Sequence, residues 1–589
     1  MSTTVSAPRH RATLACDTCR SRRTKCDGRK PNCSFCEQHG ILCNYRATLS
    51  SASKQDTEIS TVREHLDQIY RLLSLRSTQF PSRLPGNPTG LPAAQLGEYP
   101  ADESIISRTW RREFPFMTIQ TPSMMCLLGL DPRLAAQLVA LERTDVSNLT
   151  ESEATPSNSL FEYHDAISAF ESLCDKAHHW YPVLPPDFFE VYREQIVGDL
   201  PPSTETFIVL LIAAIGSIAR CSSLAEAYVS RPDAKYIQNA LSMLPKVHFE
   251  FSLKSVQCFV LLSIYYDRMA KPCQAHDYIL IASCKAQALF KCHLYDDNPA
   301  TMELLRRCFW SILLIETCEL AYHIDMPESN IWKFDDRILL PSTFESWQPS
   351  RPDQRYITEE LLSSQGTQMP PEAGKAYFLA EITMCRMHRR CTSSVTISHD
   401  LEVYAPIIAA ELTHQMENWY GHLPTSIRFE RQDTITHLFE ELDRASTLQS
   451  YPPLTAATKF LQMQYFLCLT GIYWPAVYSV ISTGALTDAP VADCARFFES
   501  YSSFVLSAAT TLPCCPQRPW SVYASIFITT MAALRGARTP SLHPTISPYV
   551  LRCFAVAAKV FERGDAVTVS PSLRMIGSIL REHVGTFIS

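Results

Sequence analysis

Six cysteines near the amino terminus have the spacing of metal ligands. They form the pattern C-x2-C-x6-C twice, at Cys16, Cys19, Cys26, Cys33, Cys36 and Cys43. Two residues between cysteines let one tight turn present both sulfurs to a tetrahedral ion, and six further residues bring a third sulfur back to it. Each half therefore supplies three thiolates, one fewer than a closed zinc site requires.

Shared thiolates would make up this shortfall. Two tetrahedral ions need eight ligand positions, and six sulfurs fill eight only if two of them bridge. Because bridging sulfurs should occupy equivalent places in the two halves, the spacing predicts two zinc ions joined by Cys16 and Cys33. A disulfide knot and two separate zinc sites that recruit His10 or His39 are the alternatives. A segment of about 30 residues buries too little core to fold alone, so metal should supply its folding energy.

Four of the six residues between Cys19 and Cys26 are basic. They are Arg20, Arg22, Arg23 and Lys25, and the spacing predicts a short helix held at both ends by thiolates. Arginine and lysine can contact guanine O6 and N7 in the major groove, and arginine does so with two hydrogen bonds. The alternatives are a solvated run of charge or a nuclear-import signal. Inside a zinc cluster, the run indicates contact with bases and phosphates.

Charge is divided unevenly along the 589 residues. Residues 1–46 hold nine Lys or Arg and three Asp or Glu, a net charge of +6, while the rest of the chain holds 44 against 57 and carries −13. A small basic head on a large acidic body predicts a polyanionic partner for the head alone. Double-stranded DNA fits that description, and Arg46, just beyond the cluster, should contribute mainly phosphate attraction.

The chain around the head divides into segments of different composition. Residues 1–15 are predicted to be a disordered basic tail, residues 16–46 the zinc cluster, residues 47–57 a serine-rich linker and residues 76–104 a second, disordered linker. Between the linkers, residues 58–75 carry apolar side chains at spacings of 3, 4, 3 and 4, a heptad seam formed by Ile59, Val62, Leu66, Ile69 and Leu73. This seam predicts a short coiled coil and a homodimer, or else a helix packed on the protein's own body.

Residues 105–589 predict a large all-α domain. Apolar residues recur at three- and four-residue spacing over 203–222, 253–267 and 275–293. A superhelix and a bundle are both compatible with this pattern. The first 40 residues contain no apolar segment of the kind that secretory signals carry, and the apolar run from Phe207 to Ile215 is too short to span a bilayer. We therefore expect no secretory signal, a core helix and no membrane partner. The body cysteines, such as Cys258, Cys284, Cys468 and Cys553, are expected to be reduced and buried.

Catalytic motifs are missing from the sequence. It contains no G-x-G-x-x-G, H-E-x-x-H or G-x-S-x-G. His178 and His179 are interpreted as parts of a packed helix end, and we expect that the protein is not an enzyme. A helical enzyme with a nucleic-acid tether, and a zinc head that contacts only proteins, are the competing functional classes.

Residues 15–46 resemble the fungal zinc binuclear cluster DNA-binding domain. Members of that family are transcription regulators that commonly recognise CGG triplets, and the resemblance implies the same here. It also implies that Arg22 and Arg23 read the triplet, that the first and fourth cysteines bridge the metals, and that a parallel coiled coil follows the head.

The body resembles the fungal-specific transcription factor regulatory domain. The similarity is carried by Glu303–Glu316, with Arg306, Arg307, Phe309 and Trp310, and by the segments Trp180–Leu184 and Ile338–Pro341. Together the two resemblances imply a nuclear regulator of RNA polymerase II transcription that works with the transcription machinery or co-regulators. Regulators of this build often control a biosynthetic (secondary metabolite) gene cluster or a nutrient pathway.

Overall fold

The structure is a computed structural model that describes residues 16–22, 24–43, 122–144, 160–198, 200–316, 326–344, 346–350, 369–391, 395–398, 401–431, 434–445, 453–483, 491–513, 515 and 518–588. The chain separates into two compact units, Met1–Tyr99 and Pro100–Ser589. The predicted tail, both linkers and the heptad segment 58–75 lie outside the described residues, and so those assignments stay predictions.

The described part of the first unit contains two short helices, α1 (Asp17–Ser21) and α2 (Ser34–Gln38). Each begins directly after a cysteine, Cys16 or Cys33, and contains the next one. The helix predicted between Cys19 and Cys26 therefore lies earlier than expected, with Arg22 in the turn that follows it and Lys25 in extended chain. The chain must leave the helix here because the Cys26 thiol has to return to the thiols of Cys16 and Cys19.

The second unit is helical, which confirms the predicted all-α class. Its helices are α3 (Pro122–Leu128), α4 (Leu134–Thr144), α5 (Tyr163–Leu173), α6 (Phe188–Val197), α7 (Thr204–Arg220), α8 (Leu224–Ser230), α9 (Ala234–Ser242), α10 (Leu244–Phe249), α11 (Leu253–Arg268), α12 (Pro272–Lys291), α13 (Pro299–Ile315), α14 (Pro371–Cys391), α15 (Pro406–Gly421), α16 (Thr434–Ala445), α17 (Pro453–Thr483), α18 (Val491–Thr511), α19 (Pro519–Ala537), α20 (Pro548–Arg563), α21 (Asp565–Val569) and α22 (Pro571–Ile588). A π-helical turn, Cys174–His178, continues α5, and two 3-10 helices cover Ile331–Phe334 and Pro540–Thr545.

Among the described residues, one short antiparallel hairpin interrupts the helical order. Strands β1 (Val395–Ser398) and β2 (Leu401–Tyr404) pair with Val395 opposite Tyr404 and Ser398 opposite Leu401. Four-residue strands carry too little alternation to stand out in the sequence.

Many helices begin at a proline or directly after a serine. Proline in the first turn does not disrupt a helix, which explains how a helical protein contains 39 prolines. Helices α12, α13 and α19 are among those that begin with proline, whose fixed φ suits the first helical turn. The side chains of Ser203 and Ser252 accept hydrogen bonds from the third amide beyond them and cap α7 and α11.

Helix α7 packs against α5 and α11. Every residue from Phe207 to Ile215 is at most 1% exposed, which confirms the predicted core helix. Farther along the chain, α17 packs along α18. Among the described residues, Leu454–Ser482 within α17 is long and apolar enough to cross a membrane by length and composition, but 72% of its apolar window is buried inside the body. That is how a core helix behaves.

The prediction for the body cysteines is correct in part. Cys258, Cys468 and Cys553 carry reduced thiols and are buried, whereas Cys284 is reduced but exposed on α12. Cys385, in α14, is disulfide-bonded, contrary to the expectation that the body thiols are reduced.

The segments that carry the regulatory-domain resemblance lie in contact with one another. Arg307 is buried in α13, and its guanidinium donates to the carbonyl oxygens of Pro182 (2.9 Å) and Leu184 (3.2 Å). The Leu184 amide donates to Nε2 of His178 at 3.1 Å, so this imidazole is an acceptor, and burial lowers its pKa to about 3. His178 is therefore a neutral packing residue at a helix end, as the sequence predicts.

Candidate metal centre and nucleic-acid interface

The six amino-terminal thiols converge into two groups of four. Cys16, Cys19, Cys26 and Cys33 have all their sulfur atoms within 4.8 Å of one another, and so do Cys16, Cys33, Cys36 and Cys43. Cys16 and Cys33 belong to both groups, and their own sulfurs are 3.7 Å apart. Four mutually close sulfurs are the donor set of a structural zinc site, so this arrangement fits two zinc ions that share two ligands.

Equivalent backbone hydrogen bonds recur seventeen positions apart in the two halves. The Cys16 amide donates to the Cys26 sulfur at 3.5 Å, and the Cys33 amide donates to the Cys43 sulfur at 3.2 Å. The amide of Thr24 donates to the Cys19 carbonyl, and that of Ile41 donates to the Cys36 carbonyl, both at 3.0 Å. The sequence repeat is therefore also a structural repeat, and each residue of one half has a counterpart in the other.

Backbone hydrogen bonds distinguish Cys16 and Cys33 from Cys19 and Cys36. The Cys19 amide donates to the Cys16 sulfur at 3.4 Å and lowers the pKa of that thiol, and the Cys36 amide does the same for Cys33. Burial instead raises the pKa of Cys19 to about 12 and raises that of Cys36. The two backbone amides therefore favour the thiolate form of Cys16 and Cys33 over that of Cys19 and Cys36.

Zinc, when bound, supplies the positive charge that keeps all six sulfurs deprotonated. The residues that would hold it are the six predicted from spacing. Four of them, Cys16, Cys19, Cys33 and Cys36, are fully buried, although the described head has hardly any apolar core besides them. Metal ligation therefore takes the place of a hydrophobic core here.

The predicted DNA contacts are only partly described. Arg22 and Lys25 are exposed, and within the described part of the head neither side chain forms a hydrogen bond or an ion pair. Arg20 has its backbone in α1, but its side chain, like all of Arg23 and Arg46, lies outside the described residues. Two uncompensated cations therefore face solvent on the first half.

The counterparts of these basic residues are not basic. Seventeen positions on, Arg22 corresponds to His39 and Lys25 corresponds to Leu42, which is 86% exposed. Arg20 corresponds to Glu37. The repeat thus gives the two halves the same backbone but different charge, and only the first half offers a surface suited to a polyanion.

Sequence reasoning missed the hydrogen bonds that join the two halves. The hydroxyl of Thr18 donates to the Leu42 carbonyl at 2.8 Å. The carboxylate of Asp27 accepts from the Ser34 amide at 3.1 Å and from the Ser34 hydroxyl. The seventeen-residue repeat could have drawn attention to Ser34 and Leu42, because each lies next to a cysteine. Their hydrogen-bond partners, however, are seen only in the folded head.

The body contains a buried ionic cluster that the sequence did not reveal. Arg518, 2% exposed, donates from its amide to Asp267 at 2.9 Å, from Nε to the Tyr181 hydroxyl at 2.6 Å and from Nη1 to Glu381 at 2.6 Å. Glu381 also accepts from Gln464 at 3.0 Å. One arginine therefore connects α11 and α14 with the segment after the π-helical turn, and Glu381 extends the cluster to α17.

Two family comparisons agree with this division of the chain. Residues 14–51 match the family described as the fungal Zn(2)-Cys(6) binuclear cluster domain, and residues 171–421 match the fungal specific transcription factor domain. The matched regions contain the thiol groups and the helices α6 to α15, respectively.

Individual relatives carry regulatory names. The protein named "Putative transcription factor ecdB" from Aspergillus rugulosus is 35% identical over 98% of this chain and 98% of its own length. The regulatory protein CAT8 of Saccharomyces cerevisiae is 49% identical over 7% of this chain and 3% of its own, and the quinic acid utilization activator of Emericella nidulans is 27% identical over 20% and 14%. No solved structure matches the chain significantly.

Proposed function

The chain belongs to the fungal Zn(2)-Cys(6) family of DNA-binding transcription regulators, and from this premise we propose that it reads CGG-type triplets in the major groove through the basic first half of its zinc head. The observation that carries the proposal is the charge difference between the two halves. Arg22 and Lys25 are exposed and uncompensated on a metal-held turn, whereas His39 and Leu42 occupy the matching places. Arg20 and Arg23 add to the same half, and Arg46 would attract phosphate.

Arg22→Ala should weaken binding to the cognate triplet by about 1–3 kcal/mol and relax specificity at that position. The reason is that a guanidinium donates two hydrogen bonds to guanine, and alanine donates none. The measurement is selection of bound duplexes from a random pool by the full chain, followed by titration of the selected site.

His39→Ala is the matched control, because it alters the equivalent place in the second half of the head. It should leave both affinity and selected sequence unchanged. Equal losses of affinity in the two variants would contradict the proposal that the first half recognises the bases. If the full chain selects no sequence from the pool, a zinc head that contacts only proteins is favoured instead.

We propose further that the protein acts as a homodimer through Ile59, Val62, Leu66, Ile69 and Leu73. Support comes from the heptad spacing, and the residues themselves lie outside the described part of the chain. Each tether, residues 44–58, reaches at most about 50 Å, so two heads on one coiled coil would bind paired triplets.

Leu66→Lys should abolish the preference for paired over single triplets while leaving zinc content and single-site affinity intact. A charge on the seam opposes pairing of the helices, whereas Gln68→Lys, off the seam, should have no effect. The comparison is made by binding titration on duplexes with one or two triplets. A wild-type chain that binds both equally would show that the helix packs elsewhere.

The remaining parts of the proposal concern cellular role. We place the protein in the nucleus, acting on RNA polymerase II genes with the transcription machinery or co-regulators as partners. Because a relative is named for quinic acid utilization, and because regulators of this build often serve such genes, we propose a biosynthetic gene cluster or a nutrient pathway as the target. Chromatin immunoprecipitation of the full chain would identify the genes, and exclusion from the nucleus would contradict the proposal.

A further inference from the structure

Two side-chain contacts connect the halves of the head independently of any shared thiol. Thr18, in α1, donates its hydroxyl hydrogen to the Leu42 carbonyl at 2.8 Å, and Asp27, directly after Cys26, accepts from the Ser34 amide at 3.1 Å. Ser34 is the first residue of α2. Each contact thus joins a residue adjacent to a thiol in the first half to a residue adjacent to a thiol in the second.

The Thr18 contact breaks the internal repeat of the head. The counterpart of Thr18 is Phe35, which has no hydroxyl and packs its ring edge-on against His39 at a centroid distance of 4.5 Å. A symmetric copy of the Thr18–Leu42 hydrogen bond therefore cannot form. The additional hydrogen bond is therefore donated by the first half, which carries Arg22 and Lys25.

Thr18 also holds the turn that presents Arg22. Its carbonyl oxygen accepts from the Arg22 amide at 3.2 Å, while its hydroxyl donates to Leu42. The turn at Arg22 is consequently fixed on one side to α1 and, through Thr18, to the second half. Helix α1 has only five residues, so it cannot keep this orientation by its own stability.

We propose that Thr18 and Asp27 are positioning residues for DNA recognition. They hold α1 and the Arg22 turn at a fixed angle to the second half. This angle determines how well the basic side chains align with the hydrogen-bonding groups of the bases. Neither residue needs to touch a base. Base contacts with two hydrogen bonds tolerate little misalignment, whereas phosphate attraction tolerates much more. This inference rests on the proposed function, because it assumes that the first half reads DNA.

Thr18→Val tests the inference, because valine keeps the branched shape and removes the hydroxyl. In the full chain, the ratio of affinity for the selected duplex to affinity for a scrambled duplex should fall by about 3- to 10-fold, the size of one hydrogen bond. Zinc content should stay at two per chain, and the slope of log affinity against log salt should not change. Thr18→Ser should restore the wild-type ratio, and Asp27→Ala should behave like Thr18→Val.

Two results would overturn the inference. If Thr18→Val loses zinc, Thr18 is only structural. If the affinity ratio is unchanged while zinc is retained, the contact does not position the reading half. The Arg22→Ala variant separates this failure from failure of the proposed function. When Arg22→Ala relaxes specificity and Thr18→Val does not, only the positioning role is wrong, whereas no effect from Arg22→Ala overturns both.

Discussion

Replacing Cys33 by serine should release both zinc ions, unfold the head and abolish DNA binding. Cys33 belongs to both groups of four thiols, so its loss leaves neither group complete. The described head has almost no apolar core apart from its cysteines, and structural zinc supplies on the order of 10 kcal/mol or more to domains of this size. We expect zinc per full-length chain to fall from two to none by metal analysis, with affinity for the selected duplex reduced more than 100-fold.

Cys26→Ser provides the matched comparison, because Cys26 belongs to one group only. The group of Cys16, Cys33, Cys36 and Cys43 remains complete, so this variant should retain about one zinc ion per chain and lose the other at a lower chelator concentration. Identical zinc loss in the two variants would rule out shared thiolates, as would a wild-type stoichiometry of one.

Arg518→Ala should lower the free energy of unfolding of the body by about 3–5 kcal/mol, the cost of leaving buried charges without their partner. Asp267 and Glu381 are 3% and 2% exposed, and both accept from Arg518. Burial already raises the pKa of Asp267 to about 6, and loss of the arginine should raise it further. Chemical denaturation of the full chain, followed by the fluorescence of body tryptophans, measures the change.

Arg143 offers a control of the same residue type at the surface. It forms two hydrogen bonds of 2.8 Å to Asp277, but both side chains are 44% exposed, so Arg143→Ala should cost at most about 1 kcal/mol. The double variant Arg518→Met with Glu381→Gln should recover part of the lost stability, because it removes charge from both sides. If Arg518→Ala and Arg143→Ala lower the free energy of unfolding equally, the buried cluster contributes no more to stability than a surface ion pair.

Much of the head follows from the sequence alone. The six ligands and the need for two shared thiols could be predicted by counting, because tetrahedral zinc fixes the number of ligand positions. The structure then places Cys16 and Cys33, the pair predicted to be shared, in both groups of four thiols. The all-α class and the burial of Phe207–Ile215 follow from periodicity, since a helix whose sides are all apolar must lie inside a core.

Only the tertiary structure decided which polar residues meet. Tyr181 and Arg518 are 337 residues apart, and Asp267 and Arg518 are 251 apart, yet they share one buried cluster. Likewise, α1 begins earlier than the basic run because the chain must bend to return Cys26 to the other thiols, and Thr18 meets Leu42 only in the folded head. Spacing determines contacts within a turn or a metal site, where a few residues fix the geometry. Contacts between distant segments depend on how every intervening helix packs, and no local pattern encodes that.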